Sequence, residues 1–219
     1  MSAVRKLKHQ ERKRFTYADY CTWDDEDRWE LIDGIPYAMA APNRRHQGIS
    51  RNIAFQIHQF LRGKACEVYY APFDVRLNPD TFDDTVVQPD IVVYCDESKL
   101  DSHGGIAAPE MAVEIISPSS ATHDMVRKYM LYLKTGVREY WIVDPRTQTV
   151  LVHLLEDGTY KGKVYEKTEV VPVSVLEGCA VDLAEVFGWD TGPEDEQPLL
   201  AVSPQEGGRA QPVFPKEKD

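Results

Sequence analysis

The sequence predicts a mixed α+β domain, on three observations. Two segments, 44–62 and 124–135, carry apolar residues at helical spacing. Around them lie apolar or alternating runs that read as strands, in the order helix, strands, helix, strand, strands. The 219 residues, 42% hydrophobic and 28% charged, have the make-up of a soluble globular domain rather than a disordered chain. No run approaches the roughly 18 apolar residues that a membrane helix needs.

Thr16 offers an N-cap for a short first helix at 17–20. Trp29 to Met39 reads as a strand pair turned at Asp33-Gly34, a dipeptide suited to a tight hairpin. Ile49, Ile53, Ile57 and Leu61 define the apolar stripe of the helix at 44–62, which Gly63 closes. Three strands follow, at 67–77, 86–95 and 111–117. The helix at 124–135 places Val126, Met130 and Leu133 on its apolar stripe and ends at Gly136. Residues 137–143, 150–155 and 160–165, with alternation continuing to Val175, predict a strand and then an antiparallel meander.

Charge is unevenly spread around a net −11. Residues 1–14 carry +5, residues 190–219 carry −4, and the body between carries −12. An acidic body disfavours a surface that tracks nucleic-acid phosphates over its whole extent. It is compatible with carboxylates that hold a divalent metal, because the cation inverts the local charge. The basic N-terminus, 1–14, reads as flexible, and no apolar segment follows it as in a secretory signal. The tail from 190 to 219, rich in proline and acid with Gly207-Gly208, reads as a disordered appendage to a domain at 15–189. Cys21, Cys66, Cys95 and Cys179 show no CxxC spacing, so a reducing cytoplasm is the simplest setting.

Met111 to Ser117 is the most informative segment. Its apolar residues occupy both faces, as in a central strand covered on both sides, yet Glu114 sits among them beside Ala112 and Ile116. A buried carboxylate must be protonated, salt-bridged or bound to a metal. In Gln88-Pro89-Asp90, Asp90 stands at the mouth of an apolar run, either as a turn residue or as a second functional acid. Adjacent strands lie about 5 Å apart, so Asp90 and Glu114 could share one hard cation, Mg²⁺ or Mn²⁺. Lys128 either pairs with Asp124 one turn before it, on the surface, or reaches back over the sheet to those acids.

The six histidines lack the spacing of a zinc site, and Ser117, Ser119 and Ser120 lack a nucleophile elbow. Gly104-Gly105 reads as a loop, Tyr140-Trp141 as core, and Arg44-Arg45 as a solvated pair or a phosphate contact.

Taken together, Glu30 in WELIDG, His46 after APNRR, Gln88-Pro89-Asp90, VEIISPSS, Asp124, Lys128, Tyr132 and GVREYWIVDP resemble the Uma-two family of restriction endonucleases, in the PD-(D/E)XK nuclease superfamily. The resemblance runs from about Thr16 to Phe187. It implies a restriction-endonuclease-like core: a central mixed β-sheet flanked by helices, with an antiparallel meander after the catalytic part. Asp90 corresponds to the Asp of the motif and Glu114 to the acid that follows. The lysine expected two residues later is Ile116 here, and the family's alternative, a lysine from the next helix, points to Lys128. Glu30 matches an acid that often completes the site. His46 matches a family histidine, or simply hydrogen-bonds at a helix start. Asp124 is a possible accessory, and Tyr132 a hydrogen-bonder or a packing residue.

The implied activity is Mg²⁺- or Mn²⁺-dependent hydrolysis of DNA phosphodiester bonds. Asp90, Glu114 and the carbonyl of Ile115 would hold the metal, Lys128 would orient or deprotonate the attacking water, and Glu30 would bind a second metal or tie down Lys128. DNA is the expected partner, with no membrane, and a homodimer suits cleavage of both strands. Two alternatives stay open: a catalytically degenerate nucleic-acid-binding or regulatory module of this fold, and an interaction protein in which Glu114 and Lys128 are a buried ion pair.

Overall fold

The computed structural model describes residues 13–23, 27–117 and 122–188, without the side chains of 122–124. Most of the segment 1–14, expected to be flexible, and the appendage expected at 190–219 lie outside the described residues.

Thr16 caps α1 (Tyr17–Tyr20) through a reciprocal bond with Asp19. β1 (Arg28–Ile32) and β2 (Ile35–Met39) form the expected hairpin. Asp33 and Gly34 both take positive φ at its tip, 48° and 71°, as a two-residue turn of matching twist requires. Asn43 caps α2 (Arg44–Leu61), whose Ile49, Ile53 and Ile57 are fully buried.

Two strands expected to be continuous are broken. The stretch 67–77 divides into β3 (Glu67–Tyr70) and β4 (Asp74–Arg76), and 86–95 into β5 (Val86–Val87) and β6 (Ile91–Tyr94). Each pair changes sheet at its break, the first at Ala71 to Phe73 and the second at Gln88-Pro89-Asp90. Proline explains both breaks, since Pro72 and Pro89 can donate no ladder hydrogen bond. Gly104-Gly105 is a short strand rather than a loop: β7 (Gly104–Gly105) pairs parallel with β4. Tyr94 crowds this spot so closely that a Cβ on Gly105 would fall 2.0 Å from its hydroxyl oxygen.

β8 (Met111–Ile115), α3 (Thr122–Thr135) and β9 (Glu139–Asp144) form a crossover unit with β8 and β9 parallel. β10 (Thr149–Glu156) and β11 (Thr159–Glu166) continue as the expected meander. β12 (Val170–Pro172), β13 (Ala180–Asp182) and α4 (Leu183–Phe187) complete the described chain.

The architecture is a mixed α+β fold with two principal sheets. One has the order β2-β1-β5-β4-β7, and the larger β11-β10-β9-β8-β6-β3. Alternation along the central strands divides the core. Ile91, Val93, Met111, Val113, Trp141 and Val143 pack with α2 and α4 on one face of the large sheet. Val92, Ala112, Tyr140 and Ile142 pack on the other with Tyr132 of α3 and with Ile32, Val75 and Val87 of the smaller sheet. Each of the Val, Ile and Met side chains among them contributes about 1.5–3 kcal/mol by leaving water. Among the described residues, no helix is long and apolar enough to cross a membrane.

Two further expectations need correction. On α3 two of the three residues of the expected stripe are turned outward, Val126 60% and Met130 57% exposed, while Leu133 packs partly buried against the core. The fully buried side chains of α3 are Lys128 and Tyr132, and Met125, Tyr129, Leu131 and Leu133 pack partly buried with the same core. Cys66 and Cys95, read as separate cysteines, are joined by a disulfide across β3 and β6, next to the cross-strand pair Glu67 and Tyr94.

Candidate active site

The two sheets part where the chain leaves β5, crosses Gln88-Pro89-Asp90 and enters β6. The C-terminal end of β8 and the helix α3 close this corner. A cleft of about 520 Å³ opens there, lined by Glu30, His46, Asp90, Glu114, Ile115 and Lys128 among others. Ligands commonly bind beyond the C-terminal ends of parallel strands, which is where β8 and β9 lead.

Glu114 alternates onto the α3 face of β8, beside Ala112 and Ile116, as its position predicts. Lys128 meets it from α3: Nζ donates to Glu114 Oε1 at 3.0 Å and Oε2 at 3.1 Å. The same ammonium reaches Glu30 Oε1 at 2.9 Å, and Lys128 retains only 5% side-chain exposure. Lys128 therefore bridges acids from two sheets instead of lying on the surface. The side chain of Asp124 lies outside the described residues. One turn beyond Lys128, the Tyr132 hydroxyl donates to Glu114 Oε1 at 2.7 Å, while its ring is buried against Tyr140. Tyr132 is thus both a hydrogen-bonder and a packing residue.

Asp90 is fixed from the neighbouring strand. Its Oδ2 accepts the Ile115 amide at 2.7 Å and lies 3.2 Å from His46 Nε2. His46 is also in the first turn of α2, where its amide donates to the cap residue Asn43 at 2.8 Å, the helix-start hydrogen bond expected of it. The Ile115 carbonyl points to the same side as Asp90. The next amide, Ile116 N–H, donates to Val143 of β9 at 2.8 Å, and a trans peptide turns the adjoining carbonyl the opposite way. Ile116, in the place of the in-line lysine, packs with the core of the α3 face.

Several participants carry no familiar motif. The Gln88 amide donates to Glu30 Oε1 at 2.8 Å. Its side-chain carbonyl accepts from Arg28 at 2.6 and 3.1 Å, and its NH₂ group donates to Asp74 at 2.8 Å and to Tyr20 at 3.1 Å. Arg28, two residues before Glu30 on the same strand face, lines the cleft, as does Arg127, whose guanidinium lies 4.1 Å from the centre of the Tyr37 ring. The signal for Arg28 was its period-two spacing from Glu30; that for Gln88 was its place beside Pro89-Asp90.

The electrostatics are unusual. Burial pushes the Glu114 carboxyl up to about 8; Lys128 and the Tyr132 hydroxyl oppose this, while the nearby charges of Asp90 and Glu30 add to it. Three carboxylates thus crowd one lysine in a partly dry corner. Among the described residues, no three His, Cys, Asp or Glu side chains form a ready-made metal cage. Two carboxylates and a carbonyl nevertheless suit Mg²⁺ or Mn²⁺, which keep waters and complete their shell with substrate oxygens. The surplus of negative charge around Glu114 is what a hard cation would relieve.

A family model described as "Putative restriction endonuclease", Uma2, matches residues 16–184. The chain belongs to the Uma2 family. A Synechocystis sp. relative, "Uncharacterized protein slr1290", is 28% identical over 147 residues, which span 65% of this chain and 75% of that one. The fold is similar to that in a crystal structure described as "a putative nuclease belonging to DUF820" from Anabaena variabilis, with a TM-score of 0.65 and 22% identity. That likeness covers 80% of this chain and 98% of the other. The Uma2 match begins at Thr16 and reaches the first turn of α4, so it takes in every side chain of the cleft described above. Membership supports a nuclease-type function and a nucleic-acid substrate.

Proposed function

We propose that this Uma2 protein is a divalent-metal-dependent endonuclease that hydrolyses DNA phosphodiester bonds. The observation that carries the reading is the ammonium of Lys128, held 2.9–3.1 Å from Glu30 and Glu114 in a cleft shared with Asp90. An ion pair built only for stability has no need of a third acid and an open cleft beside it.

Asp90, through the oxygen that Ile115 and His46 do not use, together with Glu114 and the Ile115 carbonyl, would hold Mg²⁺ or Mn²⁺. When bound, the cation supplies a water of lowered pKa and a clamp for the reacting phosphate. Lys128 holds the attacking water with its donors and, near the phosphate, offsets developing negative charge. Glu30 tethers Lys128 and fixes its direction. His46 orients Asp90, Tyr132 orients Glu114, and Arg28 and Arg127 receive the flanking phosphates. The reading has the protein at work as a homodimer, because cutting both strands of a duplex usually takes two such sites. Sedimentation with and without DNA tests the dimer.

The decisive experiment incubates the protein with supercoiled plasmid and with single-stranded DNA in Mg²⁺ or Mn²⁺. Cleavage abolished by EDTA and by Asp90→Ala supports the reading. Metal and DNA binding without cleavage would favour a degenerate binding module instead.

A further inference from the structure

A second cleft, of about 1,110 Å³, adjoins the first and shares Gln47, Ala71 and Asp90 with it. One wall is α2. Arg44, Gln47, Arg51, Phe55 and His58 all line this cleft and all are exposed. Their spacing of three, four, four and three residues places them on a single stripe of the helix. The stripe is about 21 Å long at about 1.5 Å per residue, a length matching about six stacked nucleotides. The facing wall, from β3, offers Tyr70 at 66% exposure, against Phe55 at 57%.

Charge separates this surface from the acidic body of the chain. The protein has 36 acidic residues, yet none of the 18 residues of α2 is acidic. Asp90, at the shared end, is the one acid among the residues lining the second cleft. A cationic and amide-bearing stripe that carries an exposed aromatic ring suits a phosphate backbone whose bases are free to stack. A paired base hides its face inside the duplex, so two exposed rings gain nothing from double-stranded DNA.

We infer that the α2 stripe and Tyr70 form a track for an unpaired DNA strand leading from the metal-binding corner. Arg44 and Arg51 take the phosphates, and Phe55 and Tyr70 stack successive bases. The inference rests on the nuclease reading for its substrate class, but it concerns how the strand is held rather than how it is cut.

Binding without cleavage tests it. The anisotropy of a fluorescent 15-nucleotide single strand and of a blunt 15-base-pair duplex is measured with the full chain in EDTA. The Phe55→Ala/Tyr70→Ala protein, altered only at exposed rings, should bind the single strand at least about tenfold more weakly and the duplex within about twofold of wild type. Arg51→Gln should flatten the salt dependence of single-strand binding by about 0.7 in the log–log slope. Should the double variant bind the single strand like wild type while still cutting plasmid, the track is overturned and the nuclease reading stands. Should the binding differences appear although neither protein cuts DNA, the track stands and the nuclease reading falls. Equal weakening for duplex and single strand, or no single-strand binding by wild type, also overturns the track.

Discussion

Lys128 Nζ lies 2.9 Å from Glu30 Oε1, so α3 and β1, which belong to different layers, are joined by one charge inside the cleft. The same nitrogen also contacts both oxygens of Glu114. Its removal has two separable effects. Lys128→Met leaves two buried carboxylates facing each other, at about 3–5 kcal/mol in metal-free stability. Cleavage should fall at least about 100-fold while Mn²⁺ still binds by calorimetry. Lys134→Met, at an exposed position of α3, should change neither. Wild-type cleavage by Lys128→Met would show that the water is handled elsewhere.

Protonation of Glu114 gives a pH signature. Its folded-state value, about 8, lies above the ordinary 4.5, so the folded protein holds this proton more tightly than the unfolded chain. The resulting stabilisation is complete below about pH 4 and is lost as the pH rises through 8. Metal-free wild type should therefore lose more melting temperature than Glu114→Gln between about pH 5 and pH 8.5. Burial also raises Glu139, with the same sign, but in both proteins, so their difference isolates Glu114. Saturating Mn²⁺ should remove that difference by favouring the carboxylate. Parallel wild-type and variant curves would contradict the assignment.

Tyr132→Phe deletes only the hydroxyl that donates to Glu114 at 2.7 Å. The ring keeps its packing, so the stability cost should stay near 1 kcal/mol. Mn²⁺ affinity should weaken by about tenfold, because the carboxylate loses the group that fixes its direction. Unchanged affinity in a titration would reduce Tyr132 to a core residue.

Gln88 ties Arg28, Asp74 and Tyr20 together while its backbone holds Glu30. Gln88→Leu leaves the first three without their shared partner, at about 1–3 kcal/mol in denaturant titration. With Arg28 no longer held in the cleft, KM for DNA should rise about tenfold. Arg28→Lys should raise KM likewise, since a lysine cannot make the two-pronged contact. A KM unaffected by either change would remove Arg28 from the phosphate contacts.

The sequence made the frame legible where local physics decides structure. The hairpin at Asp33-Gly34, the α2 stripe and the doubly buried β8 are present as read, because turn chemistry and periodicity act within a few residues. Glu114 and Lys128 could be connected because a charged residue on a buried face must find a partner. Breaks were harder to see. The proline-bearing segments around Pro72 and Pro89 look like interruptions within one strand, and only tertiary packing shows that the chain changes sheets there. On α3, hydropathy put Val126 and Met130 inward, yet the need to bring Lys128 and Tyr132 to Glu114 turns the helix the other way. The Cys66–Cys95 link depends on strand register, which spacing alone does not reveal.

The lysine bridge also sets when the cleft is completed as the chain is made. β1 leaves the ribosome early, but Glu30 acquires its cation only after α3 has emerged and docked. A nascent chain or amino-terminal fragment that stops before α3 carries the acids without the amine that completes them. Such a fragment leaves Glu30 without the ammonium that it meets in the folded chain, so this corner is assembled only once the crossover from β8 to β9 has formed.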